Sequence, residues 1–161
     1  MFVVTLNTWK CDGNYAGRMA ELESQLPKLQ PDLLLLQEVF AAPELGEDTA
    51  SRVADCLPGH QLVQVPARKK IRRFAEQEAI STSGLAVLVR GQVLDARVLQ
   101  LPDIPADRNR IAQIIDVEID RPEYQRFEAS QLFDGNCSPA VSDHAGVAVR
   151  FVSLFLRGQA S

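Results

Sequence analysis

At 161 residues and 46% hydrophobic, the chain is long enough for one domain with a real core and too short for two comfortable ones. A formal net charge of -4 and a sequence pI near 5.2 exclude a protein that coats nucleic acid through bulk positive charge. They leave room for an enzyme whose metal site contributes acidity of its own. Cys11, Cys56 and Cys137 are odd in number and lack CxxC spacing, which suits reduced thiols in a cytoplasmic protein. No run approaches the ~18 apolar residues of a membrane span, and Met1-Phe2-Val3-Val4 enters a strand without a signal-peptide pattern. The expectation is a soluble, cytoplasmic chain.

Phe2 to Thr8 is β-branched and apolar and predicts a strand. Turn chemistry at Cys11-Asp12-Gly13-Asn14 precedes a predicted helix over Arg18 to Leu29, with Met19, Leu22, Leu26 and Leu29 on one face. Leu33 to Val39 is a continuous apolar run, as in a strand covered on both faces. Glu47 to Leu57 predicts a second helix, closed by Pro58-Gly59. Gln61 to Pro66 predicts a strand, followed by the basic stretch Arg68 to Arg73, read as a solvated loop or a charge-protected edge strand. Ser81-Thr82-Ser83-Gly84 is expected to turn into a strand over Leu85 to Val89, and further strands are expected over Val93–Leu101 and Arg110–Ile119. Phe127 to Phe133 is a weaker strand candidate, and Gly146 to Leu156 alternates as a final strand. Strand and helix alternate early and strands dominate later, which predicts an α/β (α+β) layering with a mixed sheet. No Gly-rich phosphate loop follows the first strand.

Three segments concentrate chemistry. Asn7, in Thr5-Leu6-Asn7-Thr8-Trp9, ends the first predicted strand. Glu38, in Leu36-Gln37-Glu38-Val39, ends the buried run, where ligands of open α/β sheets gather. If those strands are neighbours, the two side chains share a rim. Ser142-Asp143-His144 precedes the last predicted strand and pairs a carboxylate with an imidazole. Such groups hold a hard cation and handle a proton beside a phosphate. Each also has a structural reading: Asn7 as a turn residue, Glu38 as a solvated strand end, Asp143-His144 as a polar turn. His60 is read as a loop residue without a role.

Together with Pro31-Asp32-Leu33-Leu34-Leu35-Leu36-Gln37-Glu38-Val39, Ser83-Gly84-Leu85-Ala86-Val87-Leu88 and Ser142-Asp143-His144-Ala145-Gly146-Val147, these segments resemble the endonuclease/exonuclease/phosphatase (DNase I-like) superfamily. That superfamily comprises metal-dependent phosphoesterases, nucleases and phosphodiesterases among them. The resemblance covers most of residues 1–119 and, more patchily, 127–152. It implies a layered α/β sandwich with mixed sheets, and Mg²⁺ (or Mn²⁺) as cofactor. Glu38 would be the principal metal ligand, with Asn7 beside metal and phosphate. His144 would act as base or phosphate-binding imidazole, and Asp143 would lie close to metal and water. The substrate class it implies is a phosphoester in nucleic acid or in a small phosphorylated molecule.

The departure from the family is as clear as the likeness. Neither the family's Asn-Thr-His type motif nor its Gly-Asp-Phe-Asn type motif, whose Asp and Asn position the nucleophile and stabilise the transition state, occurs in this chain. Where they belong, the chain has only Asp120 to Arg126, and nothing matches Asp116, Asp120 or Asp134 to the missing groups. One domain over residues 1–161, shortened near 119–127, is therefore expected, with a truncated second sheet whose uncovered face favours self-association. Three readings remain open: an active phosphoesterase, an inactive binding or structural module, and a shortened form of a longer active protein.

Overall fold

In a computed structural model, the structure describes residues 1–102 and 109–119, and the backbone of 127–129. Strand β1 (Val3–Asn7) leads to helix α1 (Tyr15–Leu29), then β2 (Leu33–Ala42), a 3-10 turn (Pro43–Leu45), the short β3 (Glu47–Asp48) and helix α2 (Thr49–Asp55). Strands β4 (His60–Phe74), β5 (Gln77–Gln100), β6 (Ile111–Ile119) and β7 (Phe127–Ala129) follow.

The leucine run is the centre of the molecule. β2 pairs in parallel with β1 and antiparallel with the first part of β5, whose other side is taken by β4. Leu34 and Leu36 face α1 and α2 in a cluster with Met19, Phe40, Val53 and Leu88. Leu33 and Leu35 face the opposite way, into a cluster with Val87, Val89, Ile115, Val117 and Ile119. A strand buried on both faces gives up the polar alternation of a half-exposed one, so the uninterrupted run is explained. β5 outlasts its first partners. At Gly91, with φ 143°, it leaves β2 and β4, and Gly91 to Gln100 pair with β6 instead. β6 alternates buried Ile111, Gln113, Ile115, Val117 and Ile119 with more exposed residues, and so lays the second sheet across the first. The result is an α/β sandwich in three layers: helices, mixed sheet, second sheet. The second sheet, among the described residues, consists of the end of β5 with β6 and β7.

Four elements meet at an aromatic cluster. Tyr15, the first residue of α1, stands edge-on to Phe40 (5.6 Å) and Phe74 (5.2 Å). Its hydroxyl lies 3.0 Å from that of Thr49, the first residue of α2. Burial pushes the Tyr15 hydroxyl pKa up.

Some boundaries differ from the sequence expectation. Helix α1 starts three residues early because Asn14 Oδ1 caps it, accepting from Gly17 N at 3.0 Å, and Leu29 is exposed rather than on the buried face. α2 is shorter than expected, capped by Asp48, which accepts from Ala50 N and Ser51 N. The basic stretch belongs to β4, which pairs only with β5 among the described residues, so it is a charged edge strand. The expected turn at Ser81–Gly84 is a correction: those residues lie inside β5. The turn sits at Ala75-Glu76, both left-handed (φ 48° and 65°), and an Arg73–Glu76 ion pair spans it. Arg72 satisfies the inward hydroxyls, donating to Ser81 Oγ (2.8 Å) and Ser83 Oγ (3.3 Å), which lets polar residues occupy a strand.

His60 opens β4, with its ring nitrogens 3.2 Å from Leu57 O and 2.7 Å from Pro31 O, so it ties the end of α2 to the start of β2. Cys11 and Cys56 are free thiols. No helix among the described residues is long and apolar enough to cross a membrane. The expected final strand over 146–156 lies outside the described residues.

Candidate metal and phosphate site

The β1–β2 register places Asn7 opposite Gln37, one residue before Glu38. The two predicted residues therefore share one rim. After β1 the chain stays attached to β2: Thr8 N donates to Gln37 O (2.9 Å) and Lys10 N to Glu38 O (3.0 Å).

Glu38 does not end its strand, which runs on to Ala42. It is the extra residue of a bulge between Gln37 and Val39 and holds a left-handed φ of 54°. A non-glycine residue there costs on the order of 1 kcal/mol and persists only where the surroundings enforce it. The bulge aims the side chain into the protein, where it is 10% exposed, against the reading of a solvated strand end. Lys10 Nζ lies 3.1 Å from Glu38 Oε2.

Gly84 lies opposite this bulge, paired with Val39, and lets β4 approach closely on its other side. β4 carries a bulge of its own between Pro66 and Arg68, and both irregularities border Gly84 on β5. A Cβ at position 84 would stand 2.0 Å from Val65 O and 2.9 Å from Pro66 Cα. Only glycine admits so close a backbone approach.

The loop after Asn7 is built around Arg18. Trp9 and Lys10 are both left-handed, at φ 56° and 49°. The Arg18 guanidinium gathers the carbonyls this loop turns inward, reaching Thr8 O (3.1 Å), Lys10 O (3.0 Å), Asp12 O (2.8 Å) and, more loosely, Trp9 O (3.4 Å). It also stacks over the half-exposed Trp9 ring, 5.4 Å from the centroid. Asn7 Oδ1 accepts from Trp9 N at 2.8 Å, so the asparagine shapes this loop as a turn residue. Cys11, at the end of the loop, has its thiol pKa raised chiefly by burial and then by Asp12, with Arg72 and Arg18 opposing.

Of the predicted residues, the structure brings Asn7 and Glu38 together. Asp143 and His144 lie outside the described residues, as do Asp120 and Asp134. Asp116 is held by Arg97 (3.4 Å) on the second sheet, in a structural ion pair. Among the described residues no three His, Cys, Asp or Glu side chains converge on one point. A single buried carboxylate that already carries a cation nevertheless fits Mg²⁺ in kind, since that ion is held through one or two carboxylates and keeps several waters. Sequence reasoning missed Lys10, Arg18 and the close approach at Gly84. Lys10 carried a signal, a lone cation directly after the Asn7 motif.

Helices over a mixed sheet over a second sheet define a DNase I-like α/β sandwich. In particular, the chain has the fold of endonuclease/exonuclease/phosphatase proteins. It superimposes on a protein of that family from Leptotrichia buccalis C-1013-b with a TM-score of 0.54 at 15% identity, over 85% of this chain and 57% of that one. It superimposes on the human Nocturnin catalytic domain with a TM-score of 0.57 at 18% identity, over 78% of this chain and 46% of that one. The chain thus spans about half the length of the solved structures it matches. No family model and no curated relative matches it.

Proposed function

We propose that the chain is a metal-dependent phosphoesterase, hydrolysing a phosphodiester or phosphomonoester of nucleic acid or of a small phosphorylated molecule. The observation that carries this reading is Glu38. A carboxylate turned inward on a strained bulge, beside Asn7 on one rim of this fold, is poorly explained by stability alone. In this reading Glu38 is the principal ligand of Mg²⁺ or Mn²⁺, and Asn7 lies beside metal and phosphate. Asp143 lies near metal and water, and His144 is the base or phosphate-binding imidazole. The bound ion supplies neutralisation of charge developing on the phosphoryl oxygens. The human Nocturnin domain was solved with a bound sulfate, an anion of phosphate shape, which supports an anion site on such a fold. A cytoplasmic location accords with the free thiols of Cys11 and Cys56.

A second reading is an inactive binding or structural module. It is favoured by the share of the matched structures that the chain leaves uncovered, and by the absence of the Asp/Asn motif from the sequence. One experiment separates the two. The purified chain is incubated with a bis-aryl phosphodiester and Mg²⁺ or Mn²⁺, with EDTA and with His144→Ala as controls. Turnover lost in both controls supports the enzyme; equal background in all samples supports the module.

A further inference from the structure

We infer that Lys10 is a built-in counter-ion of Glu38, an ammonium that holds the carboxylate in the metal-free protein and that a divalent cation must displace. The inference rests on the reading of Glu38 as a cation-holding carboxylate. Burial makes a partner necessary: a carboxylate only 10% exposed loses most of its hydration, and an uncompensated buried charge is strongly destabilising. Lys10 meets that need at 3.1 Å from Oε2, with its own side chain 30% exposed. The contact is an ion pair without the alignment of a hydrogen bond.

The lysine is placed by its backbone. Lys10 N donates to the carbonyl of Glu38 itself, its φ is 49°, and its own carbonyl accepts from Arg18 Nη2 at 3.0 Å. These constraints fix where the stem leaves the chain, so the ammonium is delivered to Glu38 by construction.

An ammonium and a divalent ion cannot share the same carboxylate lone pairs. Mg²⁺ needs oxygen at about 2.0–2.1 Å, and two cations so close repel in a partly buried site. The half-exposed Lys10 stem can carry its head group out toward solvent. An arriving phosphate would offer that displaced ammonium a new partner, so metal and phosphate binding are coupled through Lys10.

The test is a Mn²⁺ titration of the full chain followed by electron paramagnetic resonance of the free ion, with thermal midpoints in EDTA and in Mn²⁺. Lys10→Met is expected to bind Mn²⁺ about tenfold more tightly than wild type. It is also expected to melt below wild type in EDTA and to gain more from Mn²⁺. Glu38→Gln is expected to lose the site in both backgrounds. If Lys10→Met does not fold, Lys10→Gln carries the same expectation. Equal or weaker Mn²⁺ binding by the lysine variants overturns the inference; if Glu38→Gln then still loses the site, the metal reading survives without it. Wild-type binding by Glu38→Gln overturns both.

Discussion

Replacing Gly84 by alanine tests the close backbone approach of β4 to β5 beside the candidate site. A Cβ at position 84 would meet Val65 O at 2.0 Å, Pro66 Cα at 2.9 Å and Ala67 N at 3.0 Å. All three are backbone atoms of β4, so no rotamer change relieves the contact. Restoring an ordinary contact, 3.4 Å or more, requires β4 to move by more than an ångström against β5, or β5 to bend beside Glu38. Overpacking costs about 1–3 kcal/mol even where side chains can yield. Here the backbone must yield, so a loss of at least about 3 kcal/mol is expected from a typical total of about 5–15. Urea denaturation followed by far-ultraviolet circular dichroism measures it. Gly59→Ala is the control, since position 59 has φ 87° but nothing within 4 Å of a new Cβ, and about 1–2 kcal/mol is expected there. A Gly84→Ala protein within about 0.5 kcal/mol of wild type, or no worse than the control, would refute the close-approach argument.

Arg18→Ala removes a charged donor from the inward carbonyls of Thr8, Lys10 and Asp12 and should cost about 2 kcal/mol, with Arg18→Lys recovering part; thermal melts and Trp9 fluorescence report it. Because burial raises the Cys11 and Tyr15 pKa values, the folded state holds those protons more tightly than the unfolded state does. The stability they contribute is fully present at neutral pH and is lost as pH rises through the thiol and phenol ranges, so alkaline melts should fall, and less steeply for Cys11→Ala. Iodoacetamide should alkylate Cys11 more slowly in the folded chain than in urea at the same pH; equal rates would contradict the burial argument. Leu94, Val98 and Leu99 are exposed on the second part of β5, so self-association is expected by light scattering and should be weakened by Val98→Glu; a monomer at high concentration would contradict it.

The layering was legible because burial leaves a direct trace in sequence. The Leu33–Leu36 run announced a strand covered on both faces, and the spacing of Met19, Leu22 and Leu26 announced the helix that covers one of them. The shared rim of Asn7 and Glu38 followed once those strands were taken as neighbours. What stayed hidden depends on register. Ser81–Gly84 has the composition of a turn, yet Arg72 across the ladder satisfies its hydroxyls and Gly84 serves a close approach rather than a reversal. Ala75-Glu76 has no turn signature and reverses the chain all the same. The bulge at Glu38 was equally illegible, because it arises from pairing with β5 some fifty residues later. Lys10 and Arg18 act through loop geometry that periodicity does not report.

Under the proposed function, the Glu38 carboxylate holds the ion on which phosphoester hydrolysis depends. The most direct test is the rate of bis-aryl phosphodiester hydrolysis at saturating Mg²⁺ by wild type and by Glu38→Gln, a change that keeps the side chain's shape and removes its charge. Mg²⁺-dependent turnover is expected from wild type, with a loss of at least about a hundredfold in the variant. Equal rates from the two proteins, or no Mg²⁺-dependent turnover from wild type, would contradict the proposal.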